Sequence, residues 1–193
     1  MGLNVHAPDA LVTDGKVALD YLKEGNKRFV NNELMPRSTN KVDIAATKDK
    51  QKPFAVVLTC SDSRVPPELF FDQKIGDIFV IRNAGNFADQ TALGSIEYAV
   101  GHLKAPLVAV VGHSMCGAVY TAHSGATGFS ENLQTLLSCV KANITGSATK
   151  EEAIGDNVKA IVADLKKNEV IKKENALVVG AEYDLATGMV SFL

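Results

Sequence analysis

Residues 54–64 read FAVVLTCSDSR, and residues 107–117 read LVAVVGHSMCG. In each stretch, an uncharged run rich in β-branched side chains is followed by residues whose side chains can ionise or bind metal. Such runs are typical of strands that are buried on both faces of a parallel sheet. If the two runs are neighbouring parallel strands, Cys60 and His113 both emerge at the carboxyl edge, where open α/β sheets build their sites.

The order of the remaining elements predicts the fold class. Further apolar runs at 77–82, 176–181 and 189–193 alternate with helical patterns, and we expect the last one to pair antiparallel at an edge. This alternation predicts an α/β fold with a mostly parallel central sheet of four to five strands, flanked by helices and joined by right-handed crossovers. No repeat or linker divides residues 1–193, so we expect a single domain.

The N-terminal segment, residues 1–32, is predicted to be an arm followed by a helix. Asp14 is a suitable N-cap for a helix that runs to about Asn31, and apolar residues recur along it at helical spacing. Because this helix lies far from the first strand, we expect it to pack on a partner subunit, with its own sheet as the alternative.

Composition excludes several classes of protein. The net charge is −2, and no basic cluster coincides with aromatic residues, which argues against nucleic acid as a partner. No stretch approaches the ~20 apolar residues of a membrane span, and the N-terminal residues lack the apolar centre of a secretory signal. Three cysteines do not make a disulfide framework. We therefore expect a cytoplasmic protein, whose reduced thiols are available to bind metal.

The chemistry-bearing residues have the composition of a metal site. Cys116 follows His113 by about one helical turn, so both side chains can face one point in space. With Cys60 they supply two thiolates and one imidazole, which leaves a fourth tetrahedral position for water, as in a catalytic zinc site. Cobalt or iron would accept similar ligands. The alternatives are that each residue is structural, or that Cys60 and Cys116 form a disulfide, which would leave His113 and Asp62 without a role.

The pattern Cys-x-Asp-Ser-Arg at 60–64, followed by His-x-x-Cys at 113–116, resembles the zinc site of the β-class carbonic anhydrases. The resemblance covers roughly residues 51–120. It implies one Zn²⁺ per chain, bound by Cys60, His113 and Cys116, and reversible hydration of carbon dioxide to bicarbonate and a proton. Zinc lowers the pKa of bound water to about 7, so that zinc-bound hydroxide would attack carbon dioxide near neutral pH.

The resemblance also implies a role for Asp62 and Arg64. Arg64 can hold the carboxylate bidentately, which is a strong and geometrically specific pairing. Held off the metal, Asp62 would accept the hydrogen bond of the bound hydroxide. Released from Arg64, it could become a fourth ligand and close the site. The alternative is a surface ion pair worth under ~1 kcal/mol.

The plant-like branch of the family, whose site stays open, is the branch that the neighbouring residues resemble. The resemblance places Gln51, Phe79, Ala84 and Tyr98 around the substrate, and Gly117 would donate its backbone N–H to a substrate oxygen. Ala84 departs from the usual valine, which predicts a slightly wider pocket. The bicarbonate-inhibited branch uses a tryptophan to hold its inhibitor, and this sequence has none.

A proton relay is predicted on one helix face. Tyr98 and His102 are spaced i, i+4 and so share a face. Imidazole titrates in the range needed to carry a proton away from the metal-bound water, which makes His102 the candidate shuttle.

Assembly and substrates follow from the same resemblance. It implies a homo-oligomer, a dimer or a dimer of dimers, in which Gln51, Phe79 and Tyr98 serve a neighbour's zinc. The substrates would be carbon dioxide and bicarbonate, with neither nucleic acid nor membrane as a partner.

Other functions remain open on the same ligands. Carbonyl sulfide and carbon disulfide are also small linear electrophiles, so a hydrolase of either is one alternative. A non-catalytic, zinc-stabilised assembly module is another, and it would require Asp62 to be locked onto the metal. A nucleotide-binding domain is disfavoured, because residues 112–117 lack the Lys-Ser/Thr of a phosphate-binding loop and no G-x-G-x-x-G follows the first strand.

Overall fold

The computed structural model describes residues 12–35 and 40–193, apart from the side chain of Asn40. Its sheet has five strands, β1 (Ala55–Cys60), β2 (Ile78–Asn83), β3 (Leu107–His113), β4 (Leu177–Tyr183) and β5 (Val190–Phe192). The helices of the described ranges are α1 (Gly15–Val30), α2 (Asn40–Thr47), α3 (Pro67–Phe70), α4 (Gln90–Gly101), α5 (Gly117–Ser124), α6 (Glu131–Asn143), α7 (Lys150–Leu165) and α8 (Glu169–Glu174).

The strands are arranged in the order β2-β1-β3-β4-β5. The first four are parallel to their neighbours, and β5 runs antiparallel to β4. The predicted mostly parallel α/β sheet, with an antiparallel last strand, is therefore confirmed. The crossover helices place the ends of β1 and β3 side by side, as the sequence pattern requires.

Both faces of the sheet are covered by helices. Ala55 and Val57 of β1 belong to a core cluster with residues of α1 and α3, whereas Val56 and Leu58 pack with residues of α4, α7 and α8. Successive side chains of a strand point to opposite faces. Every residue of β1 and β3 is buried, which explains why their sequences show continuous apolar runs rather than an alternating pattern.

The N-terminal helix packs on its own chain. Asp14 accepts hydrogen bonds from the backbone N–H groups of Lys16 and Val17, which confirms it as the N-cap of α1. The buried side chains of Tyr21 and Leu22 join the core cluster of the sheet. Contact of this helix with a partner subunit stays a prediction, and the arm at residues 1–11 lies outside the described residues.

One helix was not predicted. The sequence pattern suggests helix through residue 168, but α7 ends at Leu165 and α8 begins afresh after Asn168. The Asn168 side chain accepts hydrogen bonds from the N–H groups of Val170 and Ile171, so it acts as a new N-cap. In the part of the chain that the structure describes, none of the helices has the length and apolar character needed to cross a lipid bilayer.

Candidate active site

The sheet register brings the predicted metal ligands to one edge. Thr59 pairs with Val111, so β1 and β3 end at the same level. Cys60 is the last residue of β1 and His113 the last of β3, and Cys116 is the N-cap of α5 directly beyond. This is the carboxyl edge of the parallel strands, where the sequence places the site.

The three side chains form a buried cluster. The ligand atoms of Cys60, His113 and Cys116 all lie within 4.8 Å of one another. The two sulfur atoms are 3.9 Å apart, and both cysteines are free. A disulfide requires about 2.05 Å between the sulfurs, so the alternative of a Cys60–Cys116 bridge is wrong for this structure.

The imidazole of His113 presents one unpartnered nitrogen to this cluster. Its Nδ1 lies 2.9 Å from the carbonyl oxygen of Ser114, and because only a protonated nitrogen can donate there, the hydrogen is assigned to Nδ1. The other nitrogen, Nε2, is buried and has no hydrogen-bond partner. Leaving such a lone pair unsatisfied costs about 1–3 kcal/mol. A metal ion between Nε2 and the two sulfurs would use that lone pair, so the residues fit zinc.

The two thiols are linked through a hydrogen bond between their sulfurs. This contact lowers the pKa of Cys60, with further help from His113 and the N–H of Gly85 against the effect of burial. The pKa of Cys116 is raised by the same contact and by burial. One sulfur is thus prepared to be a thiolate, and a divalent cation would replace the proton of the other.

A carboxylate held by an arginine stands beside the cluster. Arg64 donates from Nε to Asp62 Oδ1 at 2.9 Å and from Nη2 to Asp62 Oδ2 at 2.7 Å. This fork holds the pKa of Asp62 far below its usual value. Asp62 Oδ2 lies 4.0 Å from His113 Nε2. The predicted bidentate pair is therefore present, and it faces the point on which the three ligands converge.

Comparison with known proteins agrees with this geometry. A family model described as carbonic anhydrase matches residues 55–190. The chain is 37% identical over 182 residues to the carbonic anhydrase of Mycolicibacterium smegmatis, with 88% of each chain covered. It is 48% identical over 110 residues to carbonic anhydrase 2 of Mycobacterium tuberculosis, which covers 57% of this chain and 53% of that one.

Solved structures agree on the class. A tetrameric β-carbonic anhydrase of Sordaria macrospora superposes with a TM-score of 0.69 at 27% identity, covering 92% of this chain and 94% of that one. The β-carbonic anhydrase of Coccomyxa, solved with acetazolamide, gives a TM-score of 0.71 at 26% identity over 88% and 83% of the two chains. This chain belongs to the β-class carbonic anhydrases. The predicted family and enzyme class are confirmed, and reversible hydration of carbon dioxide is the reaction of that family.

Within this carbonic anhydrase, Arg82 is a site residue that the sequence analysis missed. It lies near the end of β2 and donates from Nε to the carbonyl of Cys60 at 3.0 Å and from Nη2 to the carbonyl of Asp62 at 2.6 Å. The guanidinium therefore fixes the turn that carries both Cys60 of the cluster and the carboxylate. A single charge in an apolar strand, close to the site edge, is the signal that could have identified it.

Two of the predicted substrate-binding residues lie at the edge that carries the cluster. Ala84 directly follows β2 and precedes Gly85, whose N–H lies 3.4 Å from Cys60 Sγ. Gly117 is the first residue of α5, next to Cys116. A Cβ built on Gly117 would meet no neighbouring atom within 4 Å, so the space on that side of the residue is open.

The remaining predicted residues lie away from the chain's own cluster. Phe79 pairs with Val56, whereas Asn83 pairs with Cys60. Phe79 is therefore about 13 Å along β2 from the metal edge. Its ring is 6.3 Å from that of Tyr98, which is 5.4 Å from that of His102, so the predicted shared helix face is confirmed. These three residues form an aromatic cluster of their own, and Gln51 is exposed before β1.

Proposed function

We propose that this chain hydrates carbon dioxide reversibly to bicarbonate and a proton, with one zinc ion held by Cys60, His113 and Cys116. The observation that carries the proposal is the buried, unpartnered Nε2 of His113, which faces two sulfurs and a fixed carboxylate. Zinc bound there would lower the pKa of a water molecule to about 7 and so make a nucleophile available at neutral pH.

Asp62 would accept a hydrogen bond from that water and direct its lone pair at the carbon of the substrate. Arg64 keeps the carboxylate in place through both oxygens and keeps it ionised. Arg82 holds the backbone on which Asp62 stands. Because Asp62 is engaged by Arg64 rather than released, we assign the chain to the open-site, plant-like branch.

Substrate would bind between the cluster and the start of α5. The N–H of Gly117, at the first residue of α5, would donate to a substrate oxygen, and the helix dipole there favours developing negative charge. Ala84 would line this space with a small side chain. Carbon dioxide needs little more than an apolar wall and one donor.

We propose that the pocket is completed by a second subunit. Phe79 lies too far along β2 to reach the chain's own cluster, Tyr98 lies beside Phe79, and Gln51 precedes β1 at the opposite end of that strand from Cys60. The strand β2 that carries Phe79 is at an edge of the described sheet, where backbone groups are open to pairing. The tetrameric Sordaria macrospora enzymes support a homo-oligomer. His102, exposed beside Tyr98, would then carry protons out of the neighbour's site.

The two reduced thiols favour a cytoplasmic location.

Stopped-flow measurement of carbon dioxide hydration between pH 6.5 and 9, combined with metal analysis, tests the proposal. We expect turnover that scales with zinc content, is lost on chelation and returns on adding zinc. Faster turnover of carbonyl sulfide or carbon disulfide would identify a different hydrolase. A zinc-loaded protein that does not hydrate carbon dioxide at alkaline pH would instead be an assembly module.

A further inference from the structure

Gly85 connects the metal cluster to helix α7. Its N–H lies 3.4 Å from the Cys60 sulfur, and its carbonyl oxygen accepts a hydrogen bond from Asn157 Nδ2 at 2.9 Å. The N–H of Gly85 therefore contacts a metal ligand, while its carbonyl binds a side chain that is distant in sequence.

Asn157 is fully buried and its amide is used at both ends. The side chain is 0% exposed. Its Oδ1 accepts a hydrogen bond from Asn143 Nδ2 of α6 at 2.9 Å, while Nδ2 donates to Gly85. Burying an amide costs free energy unless such partners are in place, so apolar packing alone does not explain an asparagine at this position. What asparagine adds at this position is a fixed orientation of Gly85, through the hydrogen bond to its carbonyl oxygen.

Gly85 needs an external restraint. Its φ is +85°, and an added Cβ would lie 2.8 Å from Val140 Cγ2, so no side chain fits. Glycine has the widest conformational freedom of any residue, and its own backbone preferences do not direct its N–H at the sulfur.

The helix that supplies the restraint is itself held tightly. An added Cβ on Gly112, the residue before His113, would lie 2.8 Å from Val158 Cγ2 of α7. This close approach locks α7 against the end of β3. Asn157, next to Val158, thus has a fixed position relative to the ligands of the cluster.

We propose that Asn157 is a positioning residue of the metal site, which acts by holding Gly85 so that its N–H donates to the Cys60 sulfur. The inference rests on the proposed function only in taking that sulfur as a metal ligand. An N–H donated to a thiolate withdraws electron density from it and orients its lone pair. Partners of this kind commonly change metal affinity by about 10–100-fold.

The test compares Asn157→Leu with a matched variant, Asn26→Leu. Asn26 is also buried and hydrogen-bonds three backbone groups, the carbonyls of Phe70 and Gly188 and the N–H of Val190, none of which belongs to a residue of the cluster or to Gly85. Both variants lose buried hydrogen bonds, so both lose stability. Only Asn157→Leu changes the restraint on Gly85.

Two readouts separate the variants. In cobalt-substituted protein, we expect Asn157→Leu to move the thiolate-to-cobalt charge-transfer band to lower energy. In zinc-loaded protein, we expect it to release zinc to a chelator about tenfold faster. Asn26→Leu should leave the band in place and change the release rate less than about twofold. If Asn157→Leu does not fold, Asn143→Ala removes the group that orients Asn157 and should shift both readouts in the same direction.

An unchanged band in the Asn157 and Asn143 variants, or equal changes in the Asn26 control, would overturn the inference. Neither readout requires turnover. If the Asn157→Leu variant shows the predicted spectral shift but the wild-type protein hydrates no carbon dioxide, the inference is supported and the proposed function is refuted.

Discussion

Two arginine–aspartate pairs in this molecule have the same chemistry and different surroundings. Arg64 and Asp62 are two residues apart at the metal edge, with side chains 54% and 18% exposed. Arg28 of α1 and Asp72, which follows α3, join elements distant in sequence, and their side chains are 7% and 0% exposed. Exposed ion pairs contribute under ~1 kcal/mol to stability, whereas breaking a buried one costs about 3–5 kcal/mol. Burial thus makes the Arg28–Asp72 pair structural, whereas the more exposed Arg64–Asp62 pair is available for the catalytic role proposed above.

The buried pair predicts the largest effect on stability. Asp72 Oδ2 accepts hydrogen bonds from Arg28 Nε at 2.6 Å and from the N–H of Met35 at 3.1 Å. Asp72→Asn keeps the shape and removes the negative charge that Arg28 Nε contacts inside the protein. We expect the free energy of unfolding to fall by about 3–5 kcal/mol, while kcat/KM of the folded protein is unchanged. Urea denaturation measures the first quantity and stopped-flow hydration the second.

Asp164→Asn is the matched control, because Asp164 pairs with Lys167 across three residues of exposed helix. We expect a change within about 0.5 kcal/mol. If Asp72→Asn were equally mild, burial would not be what distinguishes the two arginine–aspartate pairs.

The Asp62–Arg64 pair predicts the reverse pattern, a large effect on activity and a small effect on stability. Asp62→Asn removes the acceptor that, in the proposed mechanism, directs the attacking water, so we expect kcat/KM for carbon dioxide to fall about 100-fold, which corresponds to roughly 2.7 kcal/mol of transition-state stabilisation. Stability should change by less than ~1 kcal/mol. Zinc content, measured on the same sample, should be unaffected. Loss of zinc in parallel with activity would mean that Asp62 supports the metal rather than the reaction.

Arg64→Lys tests whether the fork geometry matters beyond its charge. Lysine retains a cation but cannot engage both carboxylate oxygens. We expect kcat/KM to drop about tenfold, with the pH profile between 6.5 and 9 keeping its shape. The profile is retained because Arg64 lowers a carboxyl pKa that already lies below this range, so Asp62 stays ionised with or without the fork. A new titration step near neutral pH would contradict this reasoning.

Glu182 of β4 is a half-buried carboxyl whose charge no arginine in the described part of the chain stabilises, in contrast to Asp62. Burial raises its pKa, and Lys159 offsets this only in part. A carboxyl with a raised pKa in the folded state favours folding when protonated, and that contribution is lost as the pH rises above its ordinary value of 4.5. We expect Glu182→Gln to raise the free energy of unfolding at pH 7 by up to ~1 kcal/mol and to have little effect at pH 4. Equal effects at both pH values would point to packing rather than charge.

Much of the fold was predictable because it depends on local patterns. The apolar runs of β1 and β3 predicted buried parallel strands, and the residues directly after them predicted a shared edge. Asp14 predicted the start of α1 for an equally local reason, since a cap acts within its own helical turn. The unexpected helix α8 also has a local cap, Asn168, whose signal was obscured by the helical pattern that precedes it.

Pairing between distant residues was not predictable in this way. Arg28 and Asp72 lie 44 residues apart, and Asn157 and Gly85 lie 72 apart. Periodicity indicates which face a side chain occupies, but not which of many candidate partners it meets there. The separation of Phe79 and Tyr98 from the chain's own cluster likewise depends on strand register, which only the assembled sheet defines.

The amino-acid order was thus sufficient to predict the type of sheet, the convergence of Cys60, His113 and Cys116 and the Asp62–Arg64 pair, because strand periodicity and spacings of two or three residues act over short range. The folded chain was needed to show the Arg82 clamp, the Asn157–Gly85 contact and the buried Arg28–Asp72 pair. Those contacts arise only when crossover helices close-pack on the sheet and bring polar groups together out of water.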